Sequence, residues 1–207
     1  MKKLRVLLVD DEIMIREGFK RLFDWEAHDC EVVGEAADGM EAQSRIDELQ
    51  PDIVIMDIMM PVRDGISATQ EIKSRLPHTR VLILTTSTVS DDLSRALEAG
   101  ADGAITKSNA NAQLLTAIRA IAAGKRWVSP EIEKQIATDP PVQKLTERQE
   151  QVLSSIVRGL TNADIAHQLG IREDSVKEHL NLIFSKIGAA NRAEAVAIAL
   201  RRHLLRF

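Results

Sequence analysis

Five polar side chains stand where short apolar runs end: Asp10 and Asp11, Asp57, Thr85 and Lys107. Gathered at one place, they could handle a phosphoryl group. Three neighbouring carboxylates repel one another and call for a cation. A hard divalent ion with oxygen ligands fits, and Mg²⁺ suits a site that also serves phosphate. Asp57 could then attack phosphorus as a nucleophile and form an acyl phosphate. Lys107 could pair with the transferred oxygens while Thr85 donates its hydroxyl to another. In phosphoryl transfer, positioning and charge neutralisation supply most of the catalysis. A single aspartate at a strand end is ordinarily a helix cap or turn residue. Asp38-Gly39 and Asp64-Gly65 read that way.

Gathering the five requires a particular scaffold. Apolar runs at residues 5–9, 30–34, 53–56, 81–84 and 103–106 alternate with helical patterns at 13–23, 39–49, 66–76, 91–99 and 109–124. In the last of these, Leu114, Leu115, Ile118 and Ile121 recur at helical spacing. Five strands alternating with five helices predict an α/β fold: a flavodoxin-like, doubly wound parallel five-stranded sheet, order 2-1-3-4-5. Ligands of such sheets bind at the carboxyl ends of the strands, where strand order reverses. Trp25 is expected to pack over the sheet edge.

After Gly124 the rhythm stops. Pro130, Pro140 and Pro141 mark residues 125–144 as a semi-rigid linker with one short helix at 131–137. From Leu145 the pattern is wholly helical, at 147–158, 162–169, 173–187 and 192–204. The expected domains are thus 1–124, the linker, and a separate all-α four-helix domain at 145–207. Within the last, Gly170 suits a left-handed helix end between two helices, and Ala166 allows them close approach. Val176, Leu180, Ile183 and Ile187 make one buried stripe, so Lys177, Glu178, Asn181 and Ser185 face elsewhere. That pattern fits a helix-turn-helix with its second helix in a major groove. By periodicity alone, an ordinary four-helix satellite domain fits equally well.

Bulk composition narrows the class. The 207 residues carry a net charge of −4. Residues 1–139 hold 17 basic and 24 acidic side chains, net −7; residues 140–207 hold 10 and 7, net +3. An acidic front and a mildly basic back suggest different partners. No apolar run approaches the roughly 18–20 residues that span a bilayer, so membrane insertion is not expected. The basic start meets Asp10-Asp11-Glu12 too soon to be a secretory leader. A lone Cys30 forms no internal disulfide or metal cluster, which fits a reduced cytoplasmic protein.

At these residues a family resemblance appears. Val6-Leu7-Leu8-Val9-Asp10-Asp11-Glu12, Pro51-Asp52-Ile53-Val54-Ile55-Met56-Asp57-Ile58-Met59-Met60-Pro61, Asp64-Gly65 and Ala99-Gly100-Ala101-Asp102-Gly103 before Lys107 resemble the receiver motifs of two-component response regulators, over about residues 4–124. The resemblance implies that Asp57 takes phosphate from a phosphohistidine on a sensor histidine kinase. It implies Mg²⁺ on Asp11, Asp57 and the main-chain carbonyl of Met59, with Asp10 acting through water. Thr85 and Lys107 would act as switch residues. Such a protein is a phosphoacceptor that catalyses only its own phosphotransfer and slow dephosphorylation. The chain departs from the family where Ala104 replaces the usual aromatic and Ser108 the usual proline. Haloacid-dehalogenase-like phosphatases also form an aspartyl phosphate, but need an acid two residues beyond the nucleophile. Met59 stands there.

The back half resembles the LuxR-type domain of the NarL/FixJ response regulators over about residues 145–204. Leu145-Thr146-Glu147-Arg148-Gln149, Gly159-Leu160-Thr161-Asn162, Asp164-Ile165-Ala166, Leu169-Gly170-Ile171 and Ser175-Val176-Lys177-Glu178-His179 carry it. It implies that Lys177, Glu178 and Asn181 lie against DNA bases or backbone, and that Thr161 and Asn162 offer a helix start to a phosphate. Lys186 and Arg192 are candidate backbone contacts, and His179 a packing residue. Ala163 and Arg172 depart from the usual Lys and capping Ser or Thr. The implied function is a transcriptional regulator that binds double-stranded DNA, as a homodimer when phosphorylated. A phospho-switched module whose C-terminal domain binds protein instead is the alternative.

Overall fold

A computed structural model describes residues 3–87 and 89–205. Met1, Lys2, Arg206 and Phe207, at the outer limits of the expected domains, lie outside the described residues. The chain divides into two compact units, Met1–Asp139 and Pro140–Phe207.

In the first unit β1 (Leu4–Val9), β2 (Cys30–Ala36), β3 (Ile53–Met56), β4 (Arg80–Thr85), β5 (Gly103–Thr106) and β6 (Trp127–Val128) form one parallel sheet, order β2-β1-β3-β4-β5-β6. The connections are α1 (Ile13–Glu26), α2 (Gly39–Leu49), α3 (Gly65–Arg75), α4 (Ser90–Glu98) and α5 (Ala110–Ala122); α6 (Pro130–Thr138) follows β6.

Strand residues alternate between two cores. Leu7, Val9, Val54, Met56, Val81, Ile83 and Ala104 share one cluster with residues of α2, α3, α4 and α6. Val6, Leu8, Ile53, Ile55, Leu82, Leu84 and Ile105 share the other with α1 and α5. A strand buried on both faces reads as a continuous apolar run because its period-two alternation separates two interiors, not core from water. Each fully buried Leu or Ile contributes about 1.5–3 kcal/mol of transfer free energy. In α1, Phe19 and Phe23 take the buried face four residues apart. Trp25 lies two positions on, near the opposite face, and is 75% exposed, so it does not pack over the sheet edge.

The expected five-stranded order is extended by a sixth strand. β6 has two residues, too few for periodicity to reveal. It is held by the main chain: Trp127 N donates to Asp102 O at 3.1 Å and Ser129 N to Ala104 O at 3.0 Å. Gly103 permits the close approach, since a Cβ there would lie 2.4 Å from Trp127 O. Pro130 sits in the first turn of α6, where its missing N–H has no intrahelical use, and Ser129 caps that helix. Residues 125–139, read from their prolines as linker, therefore add a strand and a helix to the first unit.

Register fixes the site. Val9 pairs with Met56, Met56 with Ile83, and Thr85 with Thr106, so Asp10, Asp57, Thr85 and Lys107 emerge at one edge. Asp57 N donates to Val9 O at 2.9 Å. Asp38 caps α2 through Met40 N and Glu41 N, and Asp64 caps α3 through Ser67 N. Each cap stabilises its helix by about 1 kcal/mol.

The second unit comprises α7 (Glu147–Val157), α8 (Asn162–Leu169), α9 (Glu173–Ile187) and α10 (Arg192–Arg201) around a core that includes Leu145, Val152, Leu153, Ile156, Ile165, Val176, Leu180, Ile183, Ile187 and Ile198. Gly170 closes α8 at φ +64°, a left-handed conformation that glycine adopts without steric cost. Arg172 opens α9 with no side-chain cap. Among the described residues no helix is long and apolar enough to cross a membrane.

Candidate functional site

The carboxylates of Asp10, Asp11 and Asp57 each offer an oxygen, and these lie within 4.8 Å of one another. Asp10 and Asp57 are buried; Asp11 is exposed. Lys107 enters from a short 3₁₀ turn, Lys107–Asn109, directly after β5. Its Nζ lies 2.8 Å from Asp57 Oδ2, 2.7 Å from Asp10 Oδ2 and 3.3 Å from Glu12 Oε1. The other Asp57 oxygen, Oδ1, accepts from Ile58 N at 2.6 Å and Met59 N at 3.4 Å. The main chain of Met59 thus runs beside the carboxylate.

Burial pushes the Asp57 carboxyl above the ordinary aspartate range; the Lys107 hydrogen bond and charge pull it down, and nearby Asp10 raises it. Burial also disfavours the Lys107 ammonium. Its short contacts and charge interactions with Asp10 and Asp57 outweigh that and hold its pKa above the usual lysine value.

The donor set fits a hard divalent cation. Lys107 supplies one positive charge against three converging carboxylates. The approach of its ammonium to Asp10 Oδ2 falls outside hydrogen-bond alignment, which leaves that buried oxygen charge-compensated but without an aligned donor. A hard cation with oxygen ligands would satisfy it.

Thr85 is buried at the end of β4, and its Oγ1 accepts from Ser87 N at 3.0 Å. An oxygen accepting there retains its proton for donation. Asp10 is anchored from behind. Its Oδ1 accepts from Glu12 N at 2.9 Å, and its carbonyl accepts from Arg16 Nη1 at 2.5 Å.

At two positions the geometry went beyond the sequence reading. Gly65 N donates to Ile58 O at 3.0 Å, and a Cβ on Gly65 would fall 1.8 Å from the Asp57 carbonyl oxygen. The residue read as part of a turn, and quoted with the receiver motifs, is the one that lets the loop fold against Asp57. The glycine following a capping aspartate was the available signal. Val62 holds φ +62° while Arg63 N donates to Pro61 O at 2.6 Å, a three-residue turn that is strained for a β-branched side chain. Nothing in the residue type announces it.

In the second unit, Lys177, Glu178, Asn181 and Ser185 are exposed together on α9, opposite the buried stripe. Lys177 Nζ pairs with Asp174 at 3.0 Å, which raises its pKa. Leu182 is exposed beside them, a large apolar group on a polar face. His179 is half-buried.

The remaining candidates are engaged by partners within the unit: Thr161 is exposed, and Asn162, Lys186 and Arg192 are half-buried. Thr161 caps α8 in a reciprocal box: its N–H donates to Asp164 Oδ2 at 2.9 Å and its Oγ1 accepts from Asp164 N at 3.3 Å. The Asp164 carboxylate thus stands at this helix start. Asn162 Oδ1 accepts from Arg192 Nη1 at 3.1 Å, and Arg192 also donates to Leu160 O. Lys186 Nζ donates to Lys144 O at 2.9 Å and Gln149 Oε1 at 2.8 Å. Arg192 and Lys186 therefore tie helix ends together in this unit.

With this geometry established, comparison with known proteins adds two family matches. Residues 6–119 match the response regulator receiver domain, and residues 143–199 match the bacterial regulatory proteins of the luxR family. The response regulator protein VraR of Staphylococcus aureus is 35% identical over 207 residues, covering 98% of this chain and 99% of VraR. The crystal structure of ChrA, a response regulator in a heme-sensing two-component system, is 35% identical with a TM-score of 0.59, over 99% of this chain and 100% of that one. RcsB of Salmonella enterica serovar Typhimurium, bound to a promoter in the presence of a phosphomimetic, has a TM-score of 0.72 over 95% of this chain and 98% of that one. Its 22% identity makes it similar in fold.

Proposed function

Since this chain belongs to the NarL/FixJ family of two-component response regulators, a receiver domain followed by a LuxR-type helix-turn-helix domain, we propose that Asp57 accepts a phosphoryl group from the phosphohistidine of a sensor kinase, and that the modified protein binds double-stranded DNA as a homodimer. The observation that carries this reading is the meeting of Asp10, Asp57 and Lys107 within about 3 Å contacts, in a chain that also exposes Lys177, Glu178 and Asn181 on one helix face.

In the transfer, an Asp57 carboxylate oxygen forms a bond to phosphorus as the phosphorus–nitrogen bond to the donor histidine breaks, its electron pair returning to the imidazole. Ile58 N and Met59 N hold the other Asp57 oxygen and fix the angle of attack. Lys107, already 2.8 Å from Asp57, is placed to pair with the arriving oxygens, and Thr85 to donate its hydroxyl to another. Asp10, Asp11, Asp57 and the Met59 carbonyl would hold Mg²⁺. When bound, it would neutralise the carboxylates and the transferred oxygens. Beyond its own phosphotransfer and slow dephosphorylation the chain has no enzymatic role in this reading, and it works in the cytoplasm.

On the DNA side, α9 lies in the major groove with Lys177, Glu178 and Asn181 towards bases or phosphates. Thr161, Asn162, Lys186 and Arg192 brace the helices that present it and border the backbone. We take residues 1–124 as the receiver and 145–207 as the DNA-binding domain. One experiment tests both halves: fluorescence anisotropy on DNA selected from a random pool, with and without beryllofluoride and Mg²⁺, on wild type and Asp57→Asn. Affinity raised by the phosphoryl mimic in wild type alone supports the reading. Identical titrations in all four conditions refute it.

A further inference from the structure

Helix α6 is seated on the elements that flank the Asp57 site, around the small residue Ala104. Ile132, 1% exposed, sits in the same buried cluster as Ala104, Leu93 and Ala96, and Val128 and Ile136 pack against that cluster. Below it, β6 pairs Trp127 with Gly103 and Val128 with Ala104. Beside it, the Ser90 hydroxyl in the first turn of α4 donates to the Gln135 carbonyl of α6 at 3.4 Å. Strand β5 and helix α4 thus both hold α6.

Those two elements flank the reactive edge. Lys107 follows β5 directly. Thr85 ends β4 and accepts from Ser87 N. The Ser87 hydroxyl in turn accepts from Val89 N and donates to Asp92 Oδ2, both at 3.2 Å. This relay runs from Thr85 into the first turn of α4, where Ser90 grips α6. A phosphoryl group on Asp57 would offer the Thr85 hydroxyl a new acceptor and so would shift its hold on Ser87. Close-packed interiors respond to such sub-ångström shifts by changing arrangement, not by bending smoothly.

We propose that α6 is the output element of the first unit: it is seated on α4 and β5 while Asp57 is unmodified and leaves that seat when Asp57 carries a phosphoryl group. The helix ends at Thr138, and Asp139 is the last residue of the unit, so its displacement passes directly into the chain that continues at Pro140. The inference rests on Asp57 being the phosphoacceptor, and its test separates the two claims.

The test uses full-length protein carrying Trp25→Phe, which removes the exposed tryptophan and leaves Trp127 of β6, whose Nε1 is buried without an acceptor, as the sole indole reporter. Trp127 emission and backbone hydrogen exchange at residues 131–138 are followed with and without beryllofluoride and Mg²⁺. The expected result is a shifted emission and exchange at least severalfold faster across α6, both abolished by Asp57→Asn. Ser90→Ala, which removes only the side-chain latch, should speed α6 exchange in the unmodified protein. Changes confined to the loops after β3 and β4, with α6 and Trp127 unmoved, would overturn this inference and leave the phosphoacceptor reading standing. No change anywhere would overturn both.

Discussion

Substituting Gly65 by alanine tests how closely the β3–α3 loop is moulded to Asp57. The added Cβ would lie 1.8 Å from the Asp57 carbonyl oxygen and 2.8 Å from its carbon. Both are backbone atoms and cannot rotate away. Relief to an ordinary carbon–oxygen separation near 3.2 Å requires a shift of about 1.4 Å, and the 3.0 Å bond from Gly65 N to Ile58 O lengthens with it. Overpacking of this kind costs about 1–3 kcal/mol, and the lost hydrogen bond about 1 kcal/mol. Alanine returns up to about 1 kcal/mol through its better helix propensity at the start of α3. The net expectation is a loss of about 2 kcal/mol in urea unfolding. The chemistry should suffer more. Displacing a reacting group by about 1 Å lowers rates by around 100-fold, so labelling by acetyl phosphate in Mg²⁺ should slow by one to two orders of magnitude. A Gly65→Ala protein with wild-type stability and wild-type labelling would refute the reasoning.

Other expectations follow from the same geometry. Val62→Gly should stabilise the protein by up to about 1 kcal/mol, because glycine holds φ +62° without the β-branched clash; a lower urea midpoint would contradict this. The Asp102 carboxylate, gripped by Lys73, Arg80 and Val81 N, is held below the ordinary range despite its burial, which alone would raise it. A depressed folded-state pKa contributes stability that is full above the unfolded carboxylate pKa and lost as pH falls through the lower folded value. Asp102→Asn should therefore cost about 2 kcal/mol near neutral pH, the scale of hydrogen bonds to a charged group, and the gap from wild type should close only in acid. A gap that stays constant from neutral pH down to the acid range would be wrong for this account. Lys177→Ala should weaken DNA binding and lower the salt slope by about one; unchanged affinity and slope would remove Lys177 from the interface.

Much of this was legible in the residues, and the rest was hidden for identifiable reasons. Asp10, Asp57 and Lys107 could be placed because strands of a parallel sheet deliver their carboxyl ends to one edge, whatever their separation in sequence. The buried stripe of α9 followed from 3.6-residue periodicity, so Lys177, Glu178 and Asn181 emerged on the exposed face as expected. β6 was invisible because its two residues owe their conformation to carbonyls of Asp102 and Ala104, not to their own pattern. The short helix after Pro130 was expected, but not its place in the first unit, because composition cannot distinguish a helix within a linker from one packed on a core. Lys186 and Arg192 were legible as cations but not in direction. The carbonyls of Lys144 and Leu160 and the polar oxygens of Gln149 and Asn162 capture them, and no sequence period encodes such partners.

The parallel register has a further consequence for the birth of the protein. Asp57 and Lys107 meet across fifty positions of chain, and β1, β4 and β5 must be in place before they do. A nascent polypeptide that has emerged only as far as α4 already displays its aspartate but has no ammonium beside it. On the proposed reading reactivity therefore arises late, once the strands have assembled, and a truncated or half-folded translation product would not pass for a signalling-competent one.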